Sequence, residues 1–363
     1  MCTTTELLSP VDLTVVIVSY NVKYHLEQCL YSVQAASRGL TVETWVVDNA
    51  STDGSYRYLR ERFPGVRFIQ NEENVGFSRA NNQAIRQSAG RYVLLLNPDT
   101  LVAEDTLIEP VRFLDAHPQA GACGVRMLNP DGSFAPESRR GLPTPFTSFC
   151  KMSGLGSLFP NSRTFGRYYM RYLDVEKPNP IEVISGAFFM VRRSALDAVG
   201  LLDEDFFMYG EDIDLSYRLL EGGWQNWYLP HPILHYKGES TVKSSFRYVH
   251  VFYNAMLIFF NKHYRRRYRL LGLLIRLAVY VRAMMDFFLR AWYRLRVELH
   301  CPPQERPVEY MQYDIDQTSV SHILSALQAQ PHGRRRILEL RSSKAGVRIR
   351  PGEVVSLCSG TNA

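Results

Sequence analysis

The sequence is poor in cysteine, and its six cysteines are scattered singly along 363 residues. No C-x-x-C pair and no zinc-ligand spacing occurs among them, which argues against a disulfide framework, a redox motif or a structural zinc site. We expect free thiols that pack as small apolar side chains in a reducing compartment. The cysteines are Cys2, Cys29, Cys123, Cys150, Cys301 and Cys358.

Targeting and membrane-spanning segments are also missing from the pattern. The opening MCTTTELLSPVDL has no basic n-region and no sustained apolar run, unlike a secretory signal, which favours a cytoplasmic location. The uncharged run 248–261 is too short to cross a bilayer as a helix, and the apolar run 270–296 is interrupted by charges. We therefore expect at most a peripheral association with a membrane.

Charge is unevenly distributed in a chain of modest net charge, +6. Residues 247–300 contain 11 Lys/Arg and only 2 Asp/Glu. Four charged positions spaced by four predict one polar face of an amphipathic helix: they are Arg282, Asp286, Arg290 and Arg294. Such a helix either packs on the rest of the protein or lies on a membrane surface, whereas its long aliphatic runs disfavour nucleic-acid binding.

Short apolar runs alternate with amphipathic runs over the first hundred residues in a βαβαβαβ pattern. Strands are predicted at 14–19, 41–48, 66–70 and 91–97, and helices at 23–34, 55–63 and 78–88. This alternation predicts a parallel sheet with helices on both faces, in which ligands bind beyond the carboxyl ends of the strands. Asp48, Asn74 and Asp99 follow three of those ends, so a site is expected there.

The remaining sequence is less regular. A hairpin turn is predicted at 129–133, and 134–180 has no clear periodicity, which leaves an acceptor-covering loop and a surface insertion both open. A strand at 181–191 is interrupted by small residues that allow a close approach of a ligand or another backbone. A helix is predicted from Gly210, and 301–363 is polar enough to form a separate tail or module.

Five motifs occur in one order along this pattern: VVIVSYN at 15–21, VVDNASTDGS at 46–55, NVGFSRANN at 74–82, LLLNPDT at 94–100 and FMYGEDIDLSYRL at 207–219. Together they resemble the family 2 glycosyltransferases, particularly the rhamnosyltransferase-like branch that builds bacterial surface polysaccharides. The resemblance implies a GT-A (Rossmann-like) α/β fold with a mixed, mostly parallel sheet. It also implies an inverting transfer of a sugar from a nucleotide diphosphate donor to a hydroxyl group.

A divalent cation is part of the chemistry that the resemblance implies, because negative charge accumulates on the departing nucleotide diphosphate. Asp99 closes the family's D-x-D motif, spelled Asn97-Pro98-Asp99 here, and is expected to bind Mn²⁺ or Mg²⁺. Asn97 is expected on the donor side. His235 matches a histidine that completes the metal site in several relatives, although a histidine in a strand can equally be packed.

The catalytic base implied by the resemblance lies in the acidic cluster that opens the helix after Gly210. Asp212 is the expected base and Glu211 the second choice, while Asp214 points elsewhere around the helix and is expected to be structural. Plain capping of the helix by these acids is the competing interpretation, since its N-terminus favours carboxylates.

Donor binding is expected at positions that match the family motifs. Asp48 can accept a hydrogen bond from a base N–H, Gly76 permits close backbone approach, and Lys237 can contact the diphosphate. Packing of Tyr20 and a solvated position for Arg79 are equally open. The full set of expected nucleotide-sugar contacts is Tyr20, Asn21, Asp48, Asn74, Gly76, Arg79, Asn97, Ser185, Gly186 and Lys237.

The resemblance also suggests partners. A dTDP-linked rhamnose is the favoured donor and a UDP-linked sugar the alternative, with a glycan or polyprenyl-linked acceptor at the inner face of the cell membrane. We expect an extension at 1–12, a GT-A domain at 13–246, a basic helical region at 247–300 and a tail at 301–363. The alternatives are an inactive membrane-associated scaffold and a nucleotidyltransferase. A nucleotidyltransferase typically carries a glycine-rich phosphate loop near its N-terminus, and VVIVSYNVKYHL has no such loop.

Overall fold

The computed structural model describes residues 11–237, 246–265, 309–329, 336–344, 346–350 and 353–356, together with seven positions between 277 and 292. The expected extension at 1–12 lies outside these residues except for its last two positions. The division into 13–246, 247–300 and 301–363 stays a prediction.

A nine-stranded mixed sheet forms the centre of the molecule. Its strands are β1 (Leu13–Ser19), β2 (Val42–Asp48), β3 (Arg67–Gln70), β4 (Tyr92–Leu96), β5 (Thr100–Val102), β6 (Ala120–Leu128), β7 (Asn179–Ile181), β8 (Phe188–Arg192) and β9 (Gln225–His235). The order is β3-β2-β1-β4-β8-β6-β9-β5, with β7 paired to β9. Six strands point one way, and β5, β7 and β8 oppose them. This confirms the expected mixed, mostly parallel α/β sheet.

Helices cover both faces of the sheet. They are α1 (Lys23–Ala36), α2 (Ser55–Arg62), α3 (Phe77–Gln87), α4 (Ile108–Ala116), α5 (Pro145–Met152), α6 (Leu155–Leu158), α7 (Arg193–Val199), α8 (Glu211–Glu221) and α9 (Phe246–Phe259). All seven residues of β1 are buried, and alternate side chains point to opposite cores: Val15 and Ile17 to one, Val16 to the other. The predicted alternation from β1 to β4 is therefore confirmed.

The strand predicted at 181–191 is shorter in the structure. Pairing with β4 and β6 is confined to β8, while β7 is a separate short strand on β9. The small residues at 185–187 form a turn between them, closed by a hydrogen bond from the Phe188 N–H to the Ser185 carbonyl (3.2 Å). The turn redirects the chain toward the edge of the sheet where β4 ends.

The turn predicted at 129–133 is confirmed, because Gly132 donates to the Asn129 carbonyl (2.9 Å) and has a left-handed backbone with φ +78°. The unassigned segment that follows contains a short 3₁₀ turn, Pro136–Ser138, and then α5 and α6. Thr144 caps α5, accepting from the Thr147 N–H. This segment is therefore folded locally.

Residues 246–265 pack beside α8 and the loop that precedes it. Phe259 and Phe260 of α9 and the π-helical turn that follows it are buried with Phe206, beside the start of α8. The His263 Nε2–H donates to the Asp214 carboxylate (2.6 Å), which joins this segment to α8. No helix among the described residues is long and apolar enough to cross a membrane.

A second sheet lies near the C-terminus. Its strands and helix are β10 (Glu309–Asp314), α10 (Val320–Gln328), β11 (Arg336–Ser342), β12 (Val347–Arg350) and β13 (Glu353–Ser356). Leu324 and Leu338 pack on Leu234 of the large sheet. The Glu104 carboxylate accepts from two N–H groups at the start of α10, those of Val320 (2.8 Å) and Ser321 (3.0 Å). This module therefore rests on the β5–β9 side of the large sheet.

Candidate active site

One edge of the large sheet gathers the residues that the sequence singles out. The ends of the first two strands are level, since Ser19 pairs with Asp48. The turn at 185–187 enters β8 opposite Leu96, the last residue of β4. Antiparallel pairing of β5 with β9 sets Thr100 opposite His235. The strand ends thus meet at one border, which is where a ligand site is expected in a sheet of this kind.

Asp48 is buried at this border, and only one of its two carboxylate oxygens has a hydrogen-bond partner. One oxygen accepts from the Ser51 N–H (3.1 Å), and the other is buried without a hydrogen-bond partner. Burial raises the pKa of Asp48 above its ordinary value. A buried acceptor left open in this way fits a donor brought by a ligand, such as a ring N–H of a nucleotide base.

Three asparagines fix the loops around Asp48. Asn21 has a positive φ of 55° and accepts from the Thr52 N–H (2.7 Å) through its side-chain oxygen. Asn49 donates to the Asn74 side chain (3.1 Å) and to the Gly76 carbonyl (3.3 Å). Asn21 and Asn74 therefore hold the loops at this border in place. Asn49, which no sequence pattern singled out, joins two of these loops.

The backbone at Gly76 lies very close to the backbone of Phe207. A Cβ at this position would lie 2.6 Å from the Phe207 carbonyl oxygen, and its φ of +88° disfavours any other residue. The Phe77 N–H donates to the same carbonyl (2.7 Å). The glycine therefore brings the 207–210 loop, and with it the start of α8, to the border.

The expected metal ligands lie together. The His235 Nε2 atom is 3.4 Å from the Asp99 carboxylate and 3.3 Å from the Asn97 side-chain nitrogen. Burial would raise the pKa of Asp99, but the adjacent imidazole outweighs it and the pKa lies below its ordinary value. A buried carboxylate beside one imidazole suits a cation that completes its shell with ligand oxygens. Among the described residues, no group of three or more acidic, His or Cys side chains could hold an ion alone.

Asp212, the second residue of α8, lies at the same border of the sheet. Its carboxylate accepts from the Gly186 N–H (3.2 Å) and forms a close ion pair with Arg140. Arg140 also donates to the Ile184 carbonyl (3.2 Å). Ser185 and Gly186 therefore lie beside the expected base, and Arg140 is a neighbour that the sequence did not reveal, because the segment around it has no periodicity.

Glu211, next to Asp212, is in a different state. It is 7% exposed, and its Oε2 atom is buried without a hydrogen-bond partner. Burial, reinforced by the Asp212 carboxylate, raises the pKa of Glu211 to about 8. The pair therefore consists of one carboxyl that is mostly protonated at neutral pH and one carboxylate that is held by an arginine.

Asp214 is engaged by neighbouring side chains, and its structural role stays a prediction. It lies between Arg218 of the same helix (2.7 Å) and His263 of the π-helical turn (2.6 Å). Asp53 accepts from the Lys23 N–H (2.9 Å) and the Ser55 N–H (3.0 Å), which ties the starts of α1 and α2 together. Both acids thus hold backbone and helices in place.

Three expected donor contacts are engaged elsewhere or exposed. Arg79 is largely exposed and lies 3.7 Å from Glu204. Lys237 forms a close ion pair with Glu137. Tyr20 is exposed at the end of β1. Their roles in donor binding stay predictions.

The cysteine prediction can be examined in the described residues, where Cys29, Cys123 and Cys150 are all buried free thiols. Burial raises the pKa of Cys29 to about 12, which makes it an inert packing residue.

Comparison with known proteins shows the family of this chain. Residues 14–200 match the model of glycosyl transferase family 2. The chain is 32% identical over 259 residues to an N-acetylglucosaminyl-diphospho-decaprenol L-rhamnosyltransferase of Mycobacterium tuberculosis, covering 68% of this chain and 83% of that protein. It is also 26% identical over 211 residues to the low-salt glycan biosynthesis hexosyltransferase Agl10 of Haloferax volcanii, covering 57% and 61%.

Solved structures are more distant. Mannosyltransferase PcManGT from Pyrobaculum calidifontis in complex with GDP-Man and Mn²⁺ superposes with a TM-score of 0.48 at 18% identity, covering 82% of this chain and 79% of that one. The family match, together with the mixed, mostly parallel sheet, defines a sugar-transferring enzyme of α/β fold. The chain belongs to glycosyl transferase family 2.

Proposed function

We propose that this glycosyltransferase moves a rhamnose from a nucleotide diphosphate to a hydroxyl of a polyprenyl-diphosphate-linked saccharide, with Asp212 as the base. The observation that carries the proposal is the convergence of three chemically distinct groups at one border of the sheet. They are the open acceptor of Asp48, the Asp99–His235 pair and the Asp212–Arg140 pair. Direct displacement from a nucleotide sugar requires three things: a hydrogen-bond acceptor for the nucleobase, a cation site for the diphosphate, and a general base for the attacking hydroxyl.

The residues at 97–99 and 235 fit a Mg²⁺ or Mn²⁺ ion in composition, because Asp99 and His235 supply one carboxylate and one imidazole. Such an ion commonly takes its remaining ligands from water and from substrate phosphates. It would neutralise charge on the departing diphosphate. The Asn97 side-chain nitrogen lies 3.3 Å from the same His235 Nε2 atom that faces Asp99, so Asn97 would border the ion.

The proton at the acceptor hydroxyl goes to Asp212 in this mechanism. Glu211 is mostly protonated at neutral pH because its pKa is about 8, so only a minor fraction of it is in the basic form there. Arg140 forms a close ion pair with the Asp212 carboxylate and so fixes its position for an incoming acceptor hydroxyl. Attack on the face opposite the nucleotide inverts the anomeric centre.

Donor and acceptor are proposed from the relatives. The mycobacterial relative is named as a rhamnosyltransferase acting on a decaprenol-linked substrate, which favours dTDP-rhamnose and a lipid-linked acceptor. A hydrogen bond from a pyrimidine N–H to Asp48 suits both thymidine and uridine nucleotides. UDP-linked sugars are therefore the alternative donors.

A peripheral membrane location follows if the acceptor is lipid-linked. Seven described residues are helical, apolar and about half exposed or more: Leu277, Tyr280, Val281, Met284, Met285, Phe288 and Trp292. Their spacing of three and four puts them on one face of a helix, which we call the C-terminal stripe. We propose that this stripe rests on the inner face of the cell membrane.

The test of the proposed mechanism is a pair of measurements on Asp212→Asn. We expect donor binding by calorimetry to equal that of the parent, because Asp212 lies on the acceptor side, while transfer from dTDP-rhamnose falls by roughly a thousandfold or more. Asp214→Asn is the matched control for stability loss, since it is an aspartate of the same helix. Retained turnover by Asp212→Asn would contradict the assignment and move the base to Glu211.

A further inference from the structure

Helix α5 has its polarity reversed. It buries Thr147 and Cys150 against the protein, whereas Phe146, Phe149 and Met152 point outward. Helices of globular proteins normally bury their large apolar residues. An outward row of such side chains on a short helix is therefore a surface built for contact.

The apolar surface continues beyond α5. Phe165 joins its parts, lying 6.4 Å from the Phe146 ring and 5.6 Å from the Phe159 ring. The exposed fractions are 52% for Phe146, 57% for Phe149, 52% for Met152, 72% for Leu158 and 53% for Phe159. We call residues 144–171 the wing. A contiguous apolar patch of this kind on a monomer marks an interaction site.

The wing is also basic. Residues 144–171 contain four Lys/Arg and no Asp/Glu. Lys151, Arg163 and Arg171 are exposed, and the Lys151 ammonium lies 3.7 Å from the centre of the Tyr168 ring. Aromatic and aliphatic side chains beside exposed cations are the composition that binds an anionic lipid surface.

The wing begins directly beside the active site. Arg140, which pairs with Asp212, is followed by Gly141, whose N–H donates to the Tyr168 carbonyl of the wing (3.1 Å). Added bulk at Gly141 would meet the Arg167 carbonyl oxygen at 2.5 Å. The segment of Arg140 and Gly141, which contains the arginine paired with Asp212, is therefore in close contact with the wing.

We infer that the wing is a second membrane-docking surface, which inserts Phe146, Phe149, Leu158 and Phe159 among the headgroups of an anionic bilayer. This inference rests on the proposed function, because a lipid-linked acceptor would bring the enzyme next to a bilayer. Charge complementarity selects this occupant over a second copy of the chain, because two wings facing each other would bring cations of one sign together. Docking there brings the Asp212 side of the site to the surface where a lipid-linked acceptor lies.

The experiment is vesicle co-sedimentation of the full chain with phosphatidylcholine alone and with about 30% phosphatidylglycerol. Phe149→Ser combined with Leu158→Ser is expected to weaken binding to the anionic vesicles by roughly tenfold, since each side chain is exposed and its loss removes apolar area from the contact only. Met284→Ser with Met285→Ser tests the C-terminal stripe in parallel. Arg57→Ala with Arg60→Ala on α2 controls for the loss of surface cations in general.

A second readout concerns the wing alone. Phe149→Trp should gain tryptophan fluorescence that brominated phosphatidylglycerol quenches, relative to the parent protein. The docking inference is overturned if the wing variant binds vesicles as well as the parent, if only the stripe variant loses binding, or if the new tryptophan is not quenched.

Failure of the proposed function would be seen separately. Transfer to a short-chain, water-soluble acceptor and calorimetric nucleotide binding do not involve the wing, so both should be unchanged in Phe149→Ser/Leu158→Ser. Loss of vesicle binding with these activities intact supports the inference. Unaltered vesicle binding contradicts it, whatever the substrate proves to be.

Discussion

Glu211→Gln offers a sharp test of the electrostatics at the start of α8. The parent carboxyl has an ordinary pKa of 4.5, and burial beside Asp212 raises it to about 8 in the folded protein. A folded state with the higher pKa binds the proton more tightly than the unfolded chain does. The contribution is therefore favourable below the unfolded pKa and is lost as pH rises from about 4.5 through about 8. Glutamine imitates the protonated acid and has no such dependence.

The magnitude follows from the two pKa values. At about 1.4 kcal/mol for each pKa unit, the difference sets a ceiling near 5 kcal/mol on the stability that the parent loses relative to Glu211→Gln by the end of this interval. Because local rearrangement and water entry reduce such effects, we expect a relative loss of about 2 to 4 kcal/mol. At about pH 5 the two proteins should be nearly equal in stability.

The assay is urea unfolding of both proteins at several pH values between about 5 and 8.5. Glu61→Gln is the matched control, since Glu61 lies on the surface of α2 with its side chain 73% exposed and only an i,i+4 pair with Arg57. Parallel stability curves for the parent and Glu211→Gln across this range would refute the reasoning, because they would mean that Glu211 ionises in the folded protein as easily as in the unfolded chain.

Three further changes test other parts of the site. Arg140→Ala removes the partner of a largely buried carboxylate and should lower the free energy of unfolding by about 3 kcal/mol, with less than additive loss when combined with Asp212→Asn in a double-mutant cycle. Gly76→Ala forces a Cβ to 2.6 Å from the Phe207 oxygen, and thermal unfolding should show a loss of about 3 kcal/mol, against about 1 kcal/mol for the unobstructed positive-φ control Gly54→Ala. Asp48→Ala should weaken calorimetric binding of thymidine and uridine diphosphates by about tenfold and leave thermal stability less affected, and equal nucleotide affinity would contradict its role.

Much of the fold could be predicted from local pattern. The strands and helices from β1 to β4 are apolar or amphipathic runs bounded by turn formers, and their ends differ from the prediction by a residue or two. The strand at 181–191 was predicted too long, because periodicity cannot show that the small residues at 185–187 turn toward a site. The wing could not be predicted, since α5 reverses the usual apolar pattern.

The site was predictable where it lies on strand ends and less so elsewhere. Asp48, Asp99 and His235 converge because β2, β4 and β9 end or begin at one border, which follows from topology. Arg140 comes from a segment without periodicity, and its pairing with Asp212 depends on long-range packing across 72 positions of sequence. Asn49 was visible within the VVDNAS motif, but only the structure shows that it joins the loops of Asn74 and Gly76.

The most direct test of the central claim is calorimetric titration of a panel of nucleoside diphosphates and nucleotide sugars, first with Mn²⁺ and then with chelator. The account predicts that a thymidine or uridine diphosphate sugar binds in the presence of the ion, that chelator removes most of this binding, and that Asp99→Asn does the same. Absence of binding to every nucleotide, or binding that chelator leaves unchanged, would contradict it.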